Sequence, residues 1–155
     1  MNNFNIEDMI DSIIEPFKSR GYSDVSCSER FCIDERNTLI KYLMESGQCP
    51  DDWRQLDFYW NRNMQKSCNA CWDYMKPDLL FFSSNFRYDY RMPGFKKISA
   101  LAVHELQHRR QFHALGLLYF IFTIPIVRNL TIEILADNAM RNCYKYFKIP
   151  ESEWL

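Results

Sequence analysis

Ala102-Val103-His104-Glu105-Leu106-Gln107-His108-Arg109-Arg110-Gln111 decides how the rest of the chain is read. On a helix, His104 and His108 lie one turn apart on the same face, so both rings can reach one metal ion. Glu105 sits beside that metal without joining it, where a carboxylate can hold a water for attack. Downstream, Thr131-Ile132-Glu133-Ile134-Leu135-Ala136-Asp137 reads as a second helix whose Glu133 would complete a His2Glu ligand set. The plain alternative is a pair of exposed helix histidines with a charged neighbour. The spacing predicts that the helix carrying His104 packs through Ile98, Leu101, Phe112 and Leu115.

Upstream of this helix, 79–83 is continuously apolar and 86–90 alternates aromatic and polar residues. With Ser84-Asn85 between them, the stretch predicts a β-hairpin, which Pro93-Gly94 ends. Downstream, 114–127 is the most apolar run, interrupted by Gly116 and Pro125. It falls short of the ~20 residues needed to span a bilayer as a helix. We expect a buried connection between the two site helices; the sharper alternative is a hydrophobic lip for a membrane or an apolar substrate. A final helix over 129–147 is expected, with Asn129 as its N-cap and Ile132, Leu135, Ala136, Ala139, Cys143 and Phe147 buried.

Nearer the N-terminus, Ile6, Met9, Ile10, Ile13, Ile14 and Phe17 recur at helical spacing, with Pro16 interrupting them and Gly21 as a C-cap. A helix over 34–46 should bury Leu39, Ile40, Leu43 and Met44 and end at Gly47. Pro50-Asp51-Asp52 resembles another helix start, continued by Trp53, Leu56, Trp60 and Met64. The expected architecture is therefore α+β and mainly helical. It is a single domain over 1–155, comprising a helical scaffold (1–76), a small antiparallel hairpin (77–95) and the metal-site helices (96–147).

The 155 residues suit one core, and 47% apolar with 16% aromatic residues argue for an ordered globular protein. A net charge of −1 provides no broad basic field and argues against nucleic acid as a partner. The polar, acidic opening Met1-Asn2-Asn3-Phe4-Asn5-Ile6-Glu7-Asp8 is unlike a secretory signal. We expect a cytoplasmic protein with six reduced cysteines (27, 32, 49, 68, 71 and 143), and peripheral membrane association remains open. A structural zinc on Cys27, Cys32, Cys68 and Cys71 is disfavoured by their loose spacing, and Cys71 is a remote candidate for the catalytic metal.

His-Glu-Leu-Gln-His at 104–108, followed by Glu133-Ile134-Leu135-Ala136-Asp137, resembles the gluzincin metallopeptidases, in which HExxH is followed by ExxxD on the next helix. It is also similar to the small phage and bacterial zincin-like peptidases of the ImmA/IrrE type. The resemblance covers about 40 residues, 98–140. It implies a zincin-like hydrolase with one catalytic zinc on His104, His108 and Glu133, acting on a protein or peptide substrate. It further implies Glu105 as general base and Asp137 as acceptor of a hydrogen bond from a ligand histidine. One departure is Ile132, where the thermolysin-like motif has asparagine. No oxyanion donor stands out among Tyr88, Tyr119, Arg128, Arg141 and Tyr144; Tyr144, Arg141 and Arg128 are carried forward. His113 misses the metzincin position, which is Ala114, and Arg109, Arg110, Lys96 and Lys97 read as solvated helix faces. The rival function is a non-catalytic, metal-stabilised binding or inhibitor protein acting through 114–127.

Overall fold

The computed structural model describes residues 24–64, 68–87, 92–122 and 124–155. The helix expected over Ile6 to Phe17 lies outside them, as does Tyr88. The fold is α+β and mainly helical. Its strands are β1 (Ser28–Arg30), β2 (Asp57–Asn61), β3 (Ala70–Trp72) and β4 (Leu79–Ser83). Its α-helices are α1 (Ile33–Glu45), α2 (Met92–Leu115), α3 (Tyr119–Phe122), α4 (Pro125–Leu130) and α5 (Ile132–Tyr146).

The strands form one mixed sheet in the order β1-β2-β4-β3, with β2 and β4 parallel and both outer pairings antiparallel. Leu80, Phe81 and Phe82 are all fully buried, as a continuously apolar strand requires when both of its faces are covered. The hairpin expected over 79–90 is corrected as far as Arg87, because β4 pairs with β2 and β3 instead; 88–90 lie outside the described residues. β4 is an inner strand, and Ser84–Phe86 is a 3-10 turn leading away from the sheet. The helix expected from Pro50 is also corrected. Only a short 3-10 turn, Trp53–Gln55, forms before the chain enters β2. Leu56, Phe58 and Trp60 alternate into the core with period 2, and the helical spacing of 53, 56 and 60 was coincidental. The segment 1–76 thus contributes three strands as well as helix.

α1 begins with a capping box. The Cys32 amide donates to Glu35 Oε2 at 2.8 Å, and Asp34 and Glu35 sit at the positive end of the helix dipole. It ends at Gly47, whose φ of 69° lies in the left-handed region. Leu39, Ile40 and Leu43 are buried as expected, but Met44 is exposed and Tyr42 takes its place in the core.

α2 packs on α5, on α1 and on the β3 edge of the sheet. Ile98, Leu101, Val103 and Leu106 carry its apolar face into the core built with Phe58, Trp60, Leu80 and Phe82. Buried Arg109 locks its middle to the loops around β2 and β4. It donates to Asp52 Oδ2 at 2.5 Å, to Asp78 Oδ1 at 2.8 Å and to the Pro77 carbonyl at 2.8 Å. The expectation that Arg109 is a solvated helix residue is therefore corrected: its side chain is only 4% exposed.

Two expectations fail beyond α2. The 114–127 run is not a buried connection, since Leu117 is 83% exposed and Ile126 75%, with Leu118, Ile121 and Ile124 also exposed. Tyr119 alone among its described residues is buried. The final helix is also not continuous from 129. Thr131, at φ −132° and ψ −84°, breaks it into α4 and α5, and its hydroxyl turns back to the Val127 carbonyl at 2.6 Å. Asn129 therefore lies inside α4 and caps nothing. On α5, Ile132, Ala136, Cys143 and Tyr144 are buried, while Leu135 is exposed. No helix among the described residues is long and apolar enough to cross a membrane.

Candidate metal centre

α2 presents His104 and His108 on one face, towards the start of α5. The break at Thr131 puts Glu133 in the first turn of α5, where the helix dipole favours a carboxylate. The two Nε2 atoms are 3.1 Å apart. Glu133 Oε2 lies 3.4 Å from His104 Nε2, and its Oε1 lies 3.5 Å from His108 Nε2. Donor atoms held 2.0–2.1 Å from a tetrahedral zinc are separated by about 3.3 Å, so these spacings match one ion's coordination sphere. Among the described residues this is the one group of three or more such side chains gathered closely enough to hold a metal. Cys27, Cys32, Cys68 and Cys71 are not in it, nor is the exposed His113.

The donor chemistry fits a divalent cation. His108 Nδ1 lies 3.1 Å from Gln111 Oε1, which directs Nε2 and its lone pair towards Glu133. His104 Nδ1 is buried without a hydrogen bond; Asp137 Oδ1 is 3.2 Å away but not aligned for one. Burial works against a charged His104, yet the carboxylates of Glu133, Glu105 and Asp137 outweigh it and raise its pKa. For Glu133, burial favours the neutral acid, but the two histidines and Arg128 hold it well below the usual carboxylate range. Arg128, on α4, donates to Glu133 Oε1. A negative pocket with ionised Glu133 is what a cation requires.

Glu105 directly follows His104 on α2. Its charge reaches His104, and on the other side it raises the thiol pKa values of Cys68 and Cys71, acting there after the larger effect of burial. Tyr119 packs edge-on against Trp72 of β3 and against Phe112, one turn beyond His108. Desolvation pushes its hydroxyl pKa well up, and the charges of Arg128, Glu105 and Glu133 all act on it.

Arg128 pairs with Glu133 and the expected hydrogen bond from a ligand histidine to Asp137 is not made, but His104, His108, Arg128, Glu133 and Asp137 come together. Tyr144 does not. It is fully buried against Trp154, and its hydroxyl accepts from the Leu155 amide at 3.1 Å. Arg141 is exposed, outside the cluster. The role of Gln111 was missed, although its i+3 spacing from His108 was visible in the sequence. Comparison with family models, with curated proteins and with solved structures returns no match.

Proposed function

We propose that this chain is a zinc-dependent metallopeptidase of the gluzincin kind, hydrolysing peptide bonds in a protein substrate, one regulatory protein being the intended target. The observation that carries the reading is the trio of donor atoms on His104, His108 and Glu133 at mutual distances of 3.1–3.5 Å, with the charge of Glu105 acting on His104. Zinc held there supplies a Lewis acid and an acidified water. Glu105 takes the proton from the attacking water and delivers it to the leaving amine nitrogen as the C–N bond breaks. Arg128 holds Glu133 in place through its hydrogen bond, the charge of Asp137 acts on His104, and Tyr119 is the hydroxyl we assign to donate to the developing oxyanion.

The purified chain should contain about one zinc, and His104→Ala should remove it. Glu105→Gln should retain the metal and lose roughly 10²–10⁴-fold in turnover, the usual contribution of a general base. Undiminished zinc in His104→Ala would sink the metal assignment. A second reading, a metal-stabilised binding protein, is favoured by one observation, the exposed apolar run at 117–126. It prevails if no cleavage depends on Glu105 while Leu117→Ser with Ile126→Ser abolishes capture of a partner. Binding of the same run to liposomes would instead place it on a membrane surface.

A further inference from the structure

A single buried amide joins the two helices that carry the metal donors. Gln111 is 7% exposed and lies one turn beyond His108 on α2. Its Nε2 donates to the carbonyl of Ile132 at 3.1 Å, and its Oε1 faces His108 Nδ1 at 3.1 Å. Ile132 is the first residue of α5 and immediately precedes Glu133.

The polarity of this chain follows from the donor inventory. A backbone carbonyl only accepts, so the amide nitrogen must face Ile132 and the amide oxygen must face the imidazole. That oxygen also only accepts, so His108 Nδ1 carries the proton. A neutral imidazole has one proton to place, which leaves Nε2 as a bare lone pair aimed at His104 and Glu133. The same bond to Ile132 fixes the start of α5 relative to α2, and with it the position of Glu133.

We infer that Gln111 is a positioning residue: it holds His108 in the Nδ1–H tautomer, with Nε2 free, and latches the Glu133 helix onto the histidine helix. The metal-affinity consequence rests on the metal reading above; the tautomer itself does not. Partners that orient a ligand histidine typically contribute 10–100-fold to metal affinity.

The test uses the full chain, with Gln111→Met as a near-isosteric apolar replacement and Gln111→Glu as a variant that keeps the acceptor but loses the donor. Nitrogen NMR of the His108 ring is recorded in metal-free protein at a pH where the ring is neutral. Zinc affinity is measured by chelator competition, and near-UV circular dichroism checks the fold. The wild type should show the Nδ1–H tautomer. Gln111→Met should lose it and bind zinc 10–100-fold more weakly with an unchanged dichroism spectrum, while Gln111→Glu should keep the tautomer. An Nε2–H tautomer in the wild type, or an unaltered tautomer in a folded Gln111→Met, overturns the inference. Wild-type protein that shows the Nδ1–H tautomer but binds no zinc removes the metal reading and leaves the tautomer assignment standing.

Discussion

Arg109 and Gln111 differ from their polar neighbours on α2 because each is buried with a specific set of acceptors. Arg109 sits one position beyond His108, and its guanidinium ties α2 to the two carboxylates of Asp52 and Asp78. Those carboxylates keep partial access to water, so deleting the arginine leaves no fully buried anion. The expected cost of Arg109→Ala is therefore a few hydrogen bonds and lost packing, about 1–3 kcal/mol in urea unfolding. The Arg109 hydrogen bond holds the Asp52 pKa below 3.8 against a smaller opposing effect of burial. A carboxylate with a depressed folded pKa contributes stability that is present above its unfolded value and lost as pH falls through the folded one. The Asp52 contribution to stability should accordingly be lost below about pH 3.8, and Arg109→Ala should flatten that part of the stability curve. At this scale, His104, Glu105, His108 and Glu133 were legible from residue type and spacing. Burial of Arg109 was not, because its partners lie 31 and 57 positions away.

The elements show where local pattern suffices and where it fails. α1 was readable because its apolar stripe and terminal glycine are local signals. Gly47 adopts a positive φ and has open space around the position a Cβ would take. Gly47→Ala should therefore cost only the backbone strain, about 1 kcal/mol in thermal or urea unfolding, with zinc content unchanged. β2 was misread because Trp53, Leu56 and Trp60 fit a helical template as well as Leu56, Phe58 and Trp60 fit a strand. Pairing with β1 on one side and β4 on the other decides between them. The run after α2 fails differently. Its hydrophobicity implied burial, yet the 3-10 turn Gly116–Leu118, α3 and α4 leave Leu118, Ile121 and Ile126 facing outward. Serine at these exposed positions should change stability by no more than about 0.5 kcal/mol.

For the molecule as a whole, a metal shared by α2 and α5 would couple binding to folding. Zinc at 100 times its dissociation constant should stabilise the fold by about 2.7 kcal/mol, and a chelator should reverse the rise in melting temperature. Protons compete for the same nitrogens. Because the His104 pKa is raised above 6.5, zinc affinity should fall as pH drops through that raised value. The candidate ligand residues, the helix that carries two of them and the mainly helical α+β class were determined by the sequence, because the 3.6-residue period, capping chemistry and residue types are properties of neighbours along the chain. Tertiary structure alone decided the order β1-β2-β4-β3, the break at Thr131 that swings Glu133 towards the histidines, and the Gln111 bridge to Ile132. It likewise removed Tyr144 from the site. These features depend on contacts between residues distant in sequence, and spacing along the chain carries no record of which surfaces finally meet.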